Sequence, residues 1–76
     1  MRDSDHTQLA SLAVRIAVAM PRESVFRHLA RQLALCALAG AHGDTLYWLR
    51  VASLAGLGPP VLVRRAIAIA QACSAR

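Results

Sequence analysis

Two apolar helical runs between Arg27 and Pro60 are joined by Gly40-Ala41-His42-Gly43-Asp44, a connection with room for nothing but a reversal of direction. A helical hairpin is therefore the unit from which the rest of the fold has to be built. Both arms carry more apolar side chains than one buried face uses, which points towards a partner surface rather than towards chemistry.

The flanking segments have the same helical period. Leu9, Leu12, Ala13, Ile16 and Met20 recur at three- and four-residue spacing, predicting a first helix over about 5–20 that Pro21 stops or restarts. Ala10, Val14 and Val18 add a second apolar strip to it. A second helix, about 22–39, follows from Pro21 as an initiating residue and Glu23-Ser24 as its start. Its one face is Val25, Phe26, Leu29, Ala30, Leu33, Cys36 and Ala37, while Leu35, Leu38 and Ala39 make the last turns apolar all round. Gly40 is expected as a left-handed cap and Asp44 as the cap of a third helix, about 44–55. There Trp48, Val51, Ala52 and Ala55 share a face with Leu49 at its edge, and Tyr47 and Leu54 lie on another. Gly58-Pro59-Pro60 then breaks the chain before a fourth helix, about 60–73, with Leu62, Val63, Ala66, Ile67, Ile69, Ala70 and Cys73 on its apolar side. The expectation is one small all-α domain over residues 1–76: four antiparallel helices, arranged as TPR-like stacked hairpins or as a small helical bundle.

A chain of 76 residues buries only roughly 60% of its unfolded surface, so a partner or a homo-oligomer is expected to support its core. The surplus residues Val14, Val18, Leu35, Leu38, Tyr47 and Leu54 are the candidates for lining that contact. At 57% hydrophobic and 17% charged, the composition excludes disorder. The net charge of +5 comes from nine arginines and no lysine against four acids. Those arginines, at 2, 15, 22, 27, 31, 50, 64, 65 and 76, are dispersed along the sequence and read as solvated helix faces. Asp3, Asp5, Glu23 and Asp44 all stand at expected helix starts, where a carboxylate complements the dipole. Acids also occupy the place where a signal peptide would carry its positive region. The uncharged stretches fall short of the roughly 20 residues a membrane span needs. A cytoplasmic protein without a membrane span is expected.

No chemistry-bearing pattern is present. Cys36 and Cys73 form no CxxC and are expected as buried free thiols acting as small hydrophobes. His6, His28 and His42 lack ligand spacing, and no GxSxG or phosphate-cradling glycine pattern occurs. An enzyme, a metal, a cofactor and a small-molecule substrate are therefore not expected. Helix–turn–helix geometry leaves a DNA-binding alternative, but a recognition helix needs outward polar side chains in its first half. Thr45, Leu46, Tyr47, Trp48, Leu49 and Arg50 are too apolar for that. A membrane-active cationic helical peptide is the third alternative.

The segment from Arg31 to Gly40, Arg-Gln-Leu-Ala-Leu-Cys-Ala-Leu-Ala-Gly, a short loop, and then Leu46 to Gly58, Leu-Tyr-Trp-Leu-Arg-Val-Ala-Ser-Leu-Ala-Gly-Leu-Gly, resembles the small type III secretion chaperones of the needle-subunit type, which have a TPR-like helical-hairpin fold. The resemblance implies a cytoplasmic, non-enzymatic protein that holds an amphipathic helix of the needle subunit. It also implies a second small helical co-chaperone that completes the complex.

Overall fold

The computed structural model describes the backbone of residues 3–75 and the side chains of residues 4–75. Arg2, Arg76 and the Asp3 carboxylate, to which the sequence assigns solvated or helix-start positions, lie outside the described residues. Four helices account for the fold: α1 (Asp3–Ala19), α2 (Ser24–Leu38), α3 (His42–Leu54) and α4 (Pro60–Ser74). Among the described residues there is no strand, and the chain is all-α.

Each helix ends where its own residues stop it. α1 closes at Ala19, one residue before the Met20-Pro21 junction, because the proline ring disfavours helical backbone at the residue ahead of it. α2 and α3 run into Gly40 and Gly56, whose φ of 76° and 69° turns the chain so that the next N–H reaches back. Ala41 N–H donates to the Cys36 carbonyl and Leu57 N–H to the Ala52 carbonyl, both at 2.9 Å. These bonds satisfy carbonyls that a helix end otherwise leaves free, and the second seats Leu57 in the core. Pro60 opens α4, where its missing N–H costs nothing.

The interior takes Leu9, Leu12, Ala13, Ile16 and Met20 from the α1 segment, Leu29, Leu33 and Ala37 from α2, Leu49 and Ala52 from α3, Leu57 from the last turn, and Val63, Ala66 and Ala70 from α4. Every helix contributes a fully buried alanine, which leaves room for the larger Leu9, Leu33 and Leu49 in a body only 16 Å across its thinnest dimension.

α1 packs on α2 and α4, and α3 packs on α2 and α4, while the diagonal pairs do not pack on one another, the His6 and His42 rings of α1 and α3 meeting only at one end. A stack of hairpins would leave α1 and α4 apart as its two ends. The α1–α4 contact therefore closes a four-membered ring, the small-bundle arrangement of the two that the sequence allows. Two loop contacts fix the directions. The His6 ring, early in α1, lies 6.0 Å from the His42 ring and 3.7 Å from where a side chain on Gly40 would begin. Ile16, late in α1, stands 3.0 Å from the same point on Gly58. So α1 and α3 run the same way, and α2 and α4 run back.

Several local expectations change. α3 starts at His42 with Ala41 as its N-cap, so Asp44 does not cap it but sits in its first turn, and Gly43 is helical. That earlier start is held by Thr45, whose hydroxyl and N–H both donate to the Ala41 carbonyl, at 2.8 and 2.9 Å. With its hydroxyl satisfied, Thr45 is fully buried. The buried face of α3 is accordingly centred on Thr45, Leu49 and Ala52, with Trp48 and Val51 half-buried at its edge and Ala55 exposed beyond the helix. α2 begins at Ser24, after Glu23 as N-cap, and Pro21 stays in the preceding turn. Val25, expected on the core face, overhangs the end of the bundle and is exposed. Cys36 and Cys73 are free thiols, as expected, but half-buried rather than buried.

Candidate partner-binding surface

The six surplus residues are all on the surface, from 37% exposed at Val14 to 91% at Leu54. The structure brings some of them together and separates others. Leu35 and Leu38 lie side by side in the last turn of α2. Tyr47 and Leu54 are seven residues apart, two turns along one side of α3, the neighbour of α2. Val14 and Val18 form a separate pair one turn apart on α1. Val18 and Leu38 stand at opposite ends of the bundle, since α1 finishes where α2 begins.

The outer side of the α2–α3 pair is stiffened by aromatic contacts. The Tyr47 ring meets Trp48 edge-on at 5.1 Å, and Trp48 meets His28 of α2 at 6.1 Å with the planes near perpendicular. Such edge-to-face contacts hold Tyr47 in place without burying it. Cys36, on the same pair of helices, has its thiol pKa raised, first by desolvation and second by the negative charge of Asp44. It is thereby less of a nucleophile than an ordinary cysteine. Among the described residues no group of three His, Cys, Asp or Glu side chains could hold a metal ion, and no helix is long and apolar enough to cross a membrane. What this surface offers is aliphatic and aromatic area with a polar edge.

Periodicity did not identify two further exposed apolar residues, Val25 and Val61, because each lies in the first turn of its helix and projects past the core. It also missed how the fold gathers the arginines. α1 and α3 carry theirs, Arg15 and Arg50, in their second halves. α2 and α4 carry Arg27, Arg64 and Arg65 in their first halves, and Arg31 sits at mid-height. Alternating helix directions bring these arginines of the described residues, Arg31 excepted, into one half of the bundle. No protein-family model, curated protein or solved structure matches the chain.

Proposed function

We propose that the chain is a non-enzymatic cytoplasmic chaperone or adaptor that holds an amphipathic helix of another protein along the outer side of α2 and α3. One observation carries this reading. The four helices already close on one another, yet Leu35, Leu38, Tyr47 and Leu54 remain half or more exposed on adjacent helices. Fully burying one such side chain is worth about 1.5–3 kcal/mol, so a partner helix covering several of them gains enough to offset the cost of association. The resemblance of residues 31–58 to needle-subunit chaperones supports a specific partner, the needle subunit of a type III secretion system, with a small helical co-chaperone beside it. A homodimer closed over the same residues is the competing occupant.

Co-expression with the needle subunit, followed by size exclusion and light scattering, tests the proposal. The expected result is a complex of the two chains. It is lost on Leu38→Glu or Leu54→Glu, with helicity by circular dichroism unchanged. A chain that remains monomeric and leaves the needle subunit unbound would sink it, and a stable homodimer would hand the surface to the second copy.

A further inference from the structure

The turns at residues 20–23 and 55–59 lie at one end of the bundle, because α1 and α3 run towards it and α2 and α4 away from it. Arg15, Arg22, Arg27, Arg50, Arg64 and Arg65 cluster in that half, and every one is exposed. Glu23 is the one acid there among the described residues, whereas Asp5 and Asp44 sit at the other end, beside the 39–41 turn. Val18, Val25 and Val61, each 62–75% exposed, stand among these arginines. Two open clefts mark the same end. One of about 240 Å³ lies between α1 and α2 with Arg22 and Arg27 on its edge, and one of about 280 Å³ lies between α3 and α4 beside Arg64.

We propose that this end of the bundle docks on an anionic lipid bilayer, with the arginines at the head groups and the three valine side chains entering the interface. The inference does not depend on the partner-helix reading. Nucleic acid would satisfy the arginines equally well, but the side chains exposed between them would then be polar, to reach base edges, or aromatic, to stack on bases. Valine does neither. In the head-group region of a bilayer the valines are removed from water while the guanidinium groups stay hydrated against lipid phosphate.

Flotation with vesicles of phosphatidylcholine alone, and of phosphatidylcholine mixed with phosphatidylglycerol, reads this directly. The chain is expected to float only with the anionic vesicles. Partitioning should fall about fivefold for each of Arg64→Gln and Arg65→Gln, and should fall again in Val25→Ser/Val61→Ser. Gln8→Glu changes the net charge by the same unit as Arg64→Gln but in the half of α1 away from the arginines, about 16 Å along the helix from its end at Ala19, beyond one screening length at about 0.1 M salt. It is expected to leave partitioning unchanged. All these positions are exposed, so circular dichroism should stay that of the parent chain. Equal losses in Gln8→Glu and Arg64→Gln, equal flotation with both vesicle types, or no flotation at all overturns the proposal. Displacement from the anionic vesicles by duplex DNA overturns it too, in favour of nucleic acid.

Discussion

Leu49 and Leu54 are five residues apart on one helix and mark the two extremes of burial among the large apolar side chains of the described residues, fully enclosed and 91% exposed. Leu49→Ala deletes methyl groups from a packed interior and is expected to cost about 2–5 kcal/mol in urea unfolding. Leu54→Ser should stay within about 0.5 kcal/mol of the parent. If Leu54→Ser proves as costly as Leu49→Ala, the residue belongs to a core, and the partner surface loses its strongest member. Spacing alone distinguished Leu54 from the core but misjudged Leu49, which it placed at an edge. The reason is Thr45: a threonine reads as polar until a single hydroxyl bond to the Ala41 carbonyl lets it turn inward and rotate the buried face with it. Cys36 offers a chemical check at the same scale. Because Asp44 helps to raise its pKa, Asp44→Asn should speed alkylation of Cys36 by iodoacetamide near neutral pH, by raising the thiolate fraction. The folded chain holds this thiol proton more tightly than the unfolded chain does. The contribution to stability is therefore fully present below the ordinary thiol range and is lost as pH rises through it.

Helix ends were legible wherever a residue has no alternative, and illegible where several would serve. Pro21, Gly40, Gly56 and Pro60 fix their boundaries through ring geometry or positive φ. The start of α3 has no such residue. Asp44 is an excellent cap by type, but the Thr45 bonds draw the helix back to His42 and leave Asp44 inside the first turn. This shift separates two glycines that look alike in the sequence. Gly43 is helical with nothing within 4 Å of a would-be side chain, so Gly43→Ala should stabilise the fold by up to about 1 kcal/mol. Gly58 has φ of +75° and faces the Ile16 methyl at 3.0 Å, so Gly58→Ala meets both backbone strain and a clash and should destabilise by about 1–3 kcal/mol. Melting curves of the two variants are expected to move in opposite directions. A stabilising Gly58→Ala would mean that α1 and the 55–59 turn are not packed as described.

The exposed surface of 4712 Å² is close to the about 4,500 Å² expected of a folded monomer of this mass. The apolar side chains left outside are therefore not a sign of loose packing, and their distribution gives the whole molecule two distinct faces. The α1–α4 contact that closes the bundle was not legible, because periodicity gives each helix its buried side but not its neighbour. The gathering of the arginines follows instead from the alternating helix directions, since late in α1 and α3 means the same place as early in α2 and α4. Binding on the α2–α3 side and docking at the arginine end can then be separated. A needle-subunit helix peptide at about 100 times its dissociation constant should add about 2.7 kcal/mol of stability, equivalent to a rise of roughly 10–20 °C in Tm for a domain of this size. Leu38→Glu lies at the far end of α2 from the clefts, so it should abolish that rise and leave flotation with anionic vesicles intact. Arg64→Gln/Arg65→Gln should weaken flotation and leave the rise intact, because both side chains are exposed on α4, outside the two helices proposed to hold the peptide. If either variant removes both responses while its helicity is unchanged, peptide and lipid compete for one surface, and the division of the molecule into a partner-holding side and a membrane-facing end fails.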